Sequence, residues 1–135
     1  MELSKALNIS ASGMEVQTTR LRVIAENLAN QSTTGSTPGA DAYRRKTVTF
    51  ENKVDQALGA ETVSVKNIGQ DMSDLPVRYD PANPAANADG YVKLSNVNSL
   101  VEMMDMREAE RSYQANLAVM QSTRSMLNRA IELLK

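Results

Sequence analysis

Cysteine and histidine are both absent from this sequence of 135 residues. Their absence removes disulfides, thiolate chemistry, the usual zinc ligands and the side chain that most readily shuttles protons near neutral pH. Tryptophan is missing as well, and one Phe with four Tyr supplies few rigid anchors for a self-sufficient core. Neither sign of charge prevails: 15 Lys and Arg stand against 16 Asp and Glu, balanced along the chain, so no long-range field favours nucleic acid or an anionic membrane. No apolar run approaches the roughly 18 residues of a membrane span, and no direct membrane insertion is expected. The opening Met1-Glu2-Leu3-Ser4-Lys5 lacks a basic n-region and an unbroken apolar h-region. Any exit from the cytoplasm is therefore expected to proceed without a cleaved signal peptide.

What is present is Leu, Val, Ile, Ala and eight Met, a composition suited to helix packing and adaptable surfaces. A chain of this length fits one modest core and leaves little room for a separate catalytic domain. Three segments follow from periodicity: an N-terminal helix over 1–31, a loop and β-rich middle over 32–96, and a C-terminal helix over 97–135. The fold class is mainly α with a small β region, the two long helices packing as an antiparallel, coiled-coil-like pair.

In the first segment Leu3, Leu7, Ser10, Met14, Gln17, Leu21, Ile24 and Leu28 alternate spacings of four and three, which defines a continuous helical seam. The last segment repeats the pattern with Met103, Met106, Glu110, Tyr113, Leu117, Met120, Arg124, Leu127, Ile131 and Leu134. No Pro or Gly follows Gly90, so a helix of roughly 35 residues is expected there. Each helix carries a second stripe at one fixed heptad position: Ile9, Val16 and Val23 in the first, Val119, Met126 and Leu133 in the last. A helix apolar on two faces must be covered on both, so one seam joins the two helices and the other requires a neighbouring subunit. The polar positions Ser10, Gln17, Glu110 and Arg124 are either tolerated core positions or setters of register. Gly13 lies inside the first helix, where it costs about 1 kcal/mol relative to Ala; a close helix crossing or a hinge would account for it.

Gln31-Ser32-Thr33-Thr34-Gly35-Ser36-Thr37-Pro38-Gly39 is a run of turn formers that ends the first helix. Beyond it, Lys46–Phe50 and Thr62–Lys66 alternate with β-branched enrichment, so short antiparallel strands are expected. Tyr79 to Val92, with two Pro and an Asp-Gly turn, is expected to be a long loop with a contact role.

Catalytic and metal chemistry find little footing. Asn87-Ala88-Asp89-Gly90 resembles the middle of a calcium loop, but aligning Gly90 puts Ala85 at the first ligand position and Asn96 where a bidentate Glu belongs, so a turn is the better reading. Neither Asp71 with Asp74 nor Asp80 with Asp89 has a neighbour in sequence that would tune an acid and base pair. No catalytic residue, cofactor or metal is expected. Arg44-Arg45-Lys46 is the densest basic cluster; it precedes a strand whose edge charge would protect, and nucleic-acid binding is the weaker alternative.

Four motifs together resemble the axial proteins of the bacterial flagellum, specifically the basal-body rod family in its proximal-rod branch. The first is Ile9-Ser10-Ala11-Ser12-Gly13-Met14 followed by Ala25-Glu26-Asn27-Leu28-Ala29-Asn30 and a Thr/Gly loop. The second is Tyr43-Arg44-Arg45-Lys46 after a Pro-Gly turn. The third is Tyr79-Asp80-Pro81 through Asp89-Gly90-Tyr91-Val92 and Asn96-Val97-Asn98, and the fourth is Tyr113-Gln114-Ala115-Asn116. They span nearly the whole chain in order; Asn83 stands where the family often has His, and the segment between Phe50 and Pro76 does not align.

The resemblance implies a non-enzymatic structural subunit that leaves the cytoplasm unfolded through the flagellar type III export apparatus and assembles in the periplasm. Its partners would be copies of itself, sibling rod proteins and the adaptor at the rod base. The rod would transmit torque around a central export channel. A second reading from a different class is a soluble helical-hairpin chaperone or adaptor of a secretion system.

Overall fold

The computed structural model describes residues 2–134. Its elements run α1 (Glu2–Ala29), β1 (Lys46–Asp55), β2 (Ala60–Gln70), β3 (Val77–Tyr79), β4 (Tyr91–Lys93) and α2 (Ser99–Leu133). The architecture is mainly helical with a small antiparallel β part, and α2 has the 35 residues that the uninterrupted C-terminal pattern requires. The chain divides into two compact units: Met1–Leu21, Val48–Asn67 and Met106–Lys135 form one, and Arg22–Thr47 with Ile68–Asp105 form the other.

Local chemistry sets the helix ends. Asn30 closes α1: its backbone N and its side-chain Nδ2 both donate to Glu26 O, and its Oδ1 accepts from Thr33 Oγ1. The carbonyl of Glu26 in the last turn is thereby satisfied by two donors. Asn98 opens α2 as an N-cap, its Oδ1 accepting from Leu100 N at 3.0 Å and Val101 N at 3.3 Å.

In the first unit, α1 and α2 run antiparallel. Gly13 lies against Asn116, and Arg20 pairs with Glu108 at 3.7 Å. A Cβ on Gly13 would stand 2.8 Å from Asn116 Nδ2, so the glycine serves a close helix crossing, one of the two roles its place in the helix allowed. Strands β1 and β2 pair in a sheet of their own, joined by a turn in which Asp55 Oδ1 accepts from Ala57 N and Leu58 N.

In the second unit, the stretch expected to be a long loop is in part a sheet. β3 and β4 pair antiparallel with Val77 opposite Lys93, Arg78 opposite Val92 and Tyr79 opposite Tyr91. The physical reason is the turn between them: Asn87 Oδ1 accepts from Asp89 N and Tyr91 N, while Asn87 N donates to Tyr91 O and Asp80 N donates to Gly90 O. This chemistry bends the chain back and brings two three-residue strands into register. Gly90 has a φ of 82°, and a Cβ there would meet Tyr79 Cε2 at 2.9 Å. Tyr79 and Tyr91 then meet edge to face with centroids 5.4 Å apart. Alternation turns Val92 fully inward, while Tyr79 and Tyr91 stay exposed.

Candidate functional site

The most densely bonded cluster lies in the second unit, where the end of α1, the strap Tyr43–Lys46 and the start of α2 converge. Asn27 is 1 % exposed and uses its whole amide. Nδ2 donates to Lys46 O at 2.9 Å and to Glu102 Oε2 at 3.2 Å; Oδ1 accepts from Lys46 N at 2.8 Å and from Tyr43 OH at 2.9 Å. Two donors and two acceptors are all that an amide side chain has. Glu102, fully buried, accepts through its other oxygen from Arg45 Nε in a short ion pair.

The strap is held from its other side as well. Arg45 N donates to Asn96 Oδ1 at 2.7 Å, and Asn96 Nδ2 donates to Asp71 O and Ser73 Oγ. Arg44 Nη1 donates to Ser73 O, and Lys46 Nζ pairs with Glu26 at 2.8 Å. The basic cluster that could have guarded a strand edge or bound nucleic acid is thus engaged cation by cation within the chain.

Electrostatics follow the same ties. The hydrogen bond and charge of Lys46 hold the Glu26 carboxyl below its ordinary value, and Glu26 in turn raises Lys46. Lys93, donating to Asp41 Oδ1 at 2.7 Å, lowers Asp41 chiefly through that hydrogen bond. Desolvation raises the Tyr43 hydroxyl, which therefore remains a neutral donor to Asn27.

The third motif is knit together in the same unit, Asp80, Pro81, Asp89, Gly90, Tyr79 and Tyr91 all framing the β3–β4 turn. In the fourth, Asn116 meets Gly13, and Gln114 is exposed.

The helical stripes are placed less simply. Leu3, Leu7, Met14, Leu21 and Leu28 are half-buried and Ile24 is buried, but Val16 and Val23, expected to await a neighbouring subunit, are 3 % exposed within the chain itself. The covered face of α1 lies between the two expected stripes, because the small or polar Ser10, Gly13 and Asn27 share it. In α2, Met106, Tyr113, Leu117, Met120 and Leu127 are half-buried, whereas Met103, Ile131 and Leu134 are exposed. Three covered positions come one residue earlier than expected, Glu102, Ala109 and Thr123 in place of Met103, Glu110 and Arg124, while Asn116 and Leu117 are both half-buried. Val119, Met126 and Leu133 are open, as is Ile9 on α1.

Glu102 escaped sequence reasoning; Asn96 and Asn87 stood in segments it singled out, a motif and a turn, but their bonds were not foreseen. For Glu102 a signal existed: with Ala109, Asn116 and Thr123 it forms a strict seven-residue series of small or polar residues.

Side chains whose polar atoms are committed to one another, beneath helices with an uncovered apolar line, define a packing scaffold, a class of protein whose chemistry is adhesion between helices. Comparison with known proteins gives that class an identity. Residues 7–37 match a family model described as flagella basal body rod protein, and residues 88–133 match one described as flagellar basal body rod FlgEFG protein C-terminal. The flagellar basal-body rod protein FlgC of Agrobacterium fabrum is 56 % identical over 98 % of this chain and 96 % of its own length. Those of Salmonella typhimurium and Bacillus subtilis are 41 % and 39 % identical, covering 98 % and 95 % of each chain. The chain belongs to the FlgC family of flagellar basal-body rod proteins, and it is a structural subunit of the basal body rod.

Proposed function

We propose that this chain is a non-enzymatic subunit of the proximal rod, packed by its helices around the export channel and transmitting torque. The observation that carries the reading is the open line on α2: Val119 and Met126 are each 50 % exposed and Leu133 is 87 % exposed, at seven-residue intervals on one face. Apolar surface repeated along a helix in this way is stabilised when a second helix removes it from water, at roughly 25 cal/mol for each Å² covered. A rod wall supplies such helices from copies of the chain, sibling rod proteins and the adaptor at the rod base. The chain reaches them unfolded and uncleaved through the flagellar type III export apparatus and assembles in the periplasm.

Replacing Val119 and Met126 together with Asp tests this. Both side chains are half out in solvent, so the chain itself tolerates the change, while a charged line cannot enter an apolar interface without a large desolvation cost. Loss of swimming and of assembled rods, with the variant still exported, is the expected result. Normal rods and normal swimming would overturn the reading that this line of α2 packs against a neighbouring subunit.

A further inference from the structure

The Asn27 cluster does more than hold the second unit together. Three of the four hydrogen bonds of the Asn27 amide go to the strap, two to the Lys46 backbone and one to the Tyr43 hydroxyl, and the fourth crosses to Glu102 on α2. Glu102 has the complementary dependence, one oxygen on Asn27 and the other on Arg45 of the strap. If α1 and α2 met here without the strap, Asn27 would keep one of these four bonds and Glu102 would lose Arg45, so nearly all that the cluster contributes to the pairing comes with the strap. Each hydrogen bond so forgone lowers the equilibrium constant for pairing by up to about tenfold, and the forgone ion pair of the carboxylate lowers it further.

We propose that Asn27 and Glu102 form a conditional latch: the two helices pair in this unit only after, or together with, docking of the Tyr43–Lys46 strap. The end of α1 and the start of α2 are thereby kept from closing on each other while the strap is undocked. The latch is a property of the chain itself and stands whether or not the proximal-rod reading does.

The strap carries its own reporter. Arg44, Arg45 and Lys46 are three consecutive trypsin sites, cleavable when the strap is undocked. The full-length chain is titrated with trimethylamine N-oxide, which strengthens burial; circular dichroism follows helix content, and brief trypsin treatment follows strap protection. In the parent the two should rise together. In Asn27→Leu/Glu102→Met, which replaces both buried polar groups with apolar ones and leaves the partly exposed Arg45 free to reach water, helix content should rise at lower osmolyte than strap protection. Asn27→Leu alone, leaving Glu102 buried against an apolar neighbour, should lose both. A parent that gains helix ahead of strap protection would overturn the latch, and so would a double variant whose two curves still coincide. Should the parent gain no helix at any osmolyte concentration, a double variant that does gain it supports the latch, and one that also gains none refutes it.

Discussion

The crossing at Gly13 permits a prediction whose sign depends on one side chain. In the interior of α1, Ala is favoured over Gly by about 1 kcal/mol, so Gly13→Ala should stabilise any helix in which the position is open. Here the added Cβ would lie 2.8 Å from Asn116 Nδ2 and 3.2 Å from Asn116 Cγ, closer than such atoms normally approach. The atom in the way is the far end of a side chain, so Asn116 can swing aside, at an off-rotamer cost of about 0.5–1.5 kcal/mol. The two effects nearly cancel, and Gly13→Ala alone should change stability by less than about 0.5 kcal/mol. With Asn116→Ala in place the obstacle is gone, and the same substitution should then stabilise by about 1 kcal/mol.

Circular dichroism of the four corners of this cycle during osmolyte-driven folding measures the coupling, expected at about 1 kcal/mol. Gly13→Leu has no such escape, because its further atoms follow the Cβ into α2; overpacking of about 1–3 kcal/mol and loss of swimming are expected. If Gly13→Ala stabilises equally in both backgrounds, Asn116 does not face Gly13, and the antiparallel crossing is misplaced.

Arg45→Ala should be the more damaging half of its ion pair, costing about 3–5 kcal/mol, because it strands a carboxylate whose side chain is 1 % exposed. Glu102→Ala leaves an arginine that is 24 % exposed and can turn to water, so about 2–3 kcal/mol is expected; equal effects in a folding titration would contradict the burial asymmetry. Gly90→Ala should cost at least about 2 kcal/mol through its positive φ and the Tyr79 ring, and should abolish the near-ultraviolet signature of the Tyr79–Tyr91 pair. For pH, Asp41 and Glu26 are held below their ordinary values, so their contribution is complete above about pH 4–5 and is lost as pH falls through the lowered values. Lys46 is raised, so its share is complete below about pH 10 and is lost as pH climbs past the raised value. Asp41→Asn should flatten the acid limb alone, which a stability profile from pH 3 to 11 would reveal.

Much of this was legible in the residues. The helices announce themselves by period, by length and by the lack of Pro and Gly after Gly90, because side-chain periodicity is a local property. The motifs containing Asn27, Tyr43 to Arg45 and Asn116 stood out, though their geometry did not: that Asn27 bonds the Lys46 backbone depends on contacts across 19 residues of sequence. The β3–β4 pairing was hidden because strands of three residues, exposed along β3, show no alternation to read. Three covered positions of α2 were missed because the search followed apolar side chains, and those positions hold Glu102, Ala109 and Thr123. Burial of a carboxylate is intelligible only when Arg45 and Asn27 are seen beside it.

That miss bears on how the chain works. Each unit has a small or polar contact between the helices, Gly13 on Asn116 in one and the Asn27–Glu102 hydrogen bond in the other, beside buried Val16, Val23 and Ile24 on α1, while Val119, Met126 and Leu133 are left exposed. Hydrogen bonds of this kind discriminate sharply between right and wrong partners yet contribute only about 1 kcal/mol each in net stability. Apolar surface does the reverse, attracting strongly and with little selectivity. Under the proposed function, a chain that adds such selective contacts to a small apolar core and leaves further apolar surface outside draws part of its stability from neighbours. It becomes stable when neighbours bind the folded form alone, by an amount that grows with their concentration and affinity. On that proposal the subunit assembles in one register because its internal polar contacts choose the structure while its neighbours add stability.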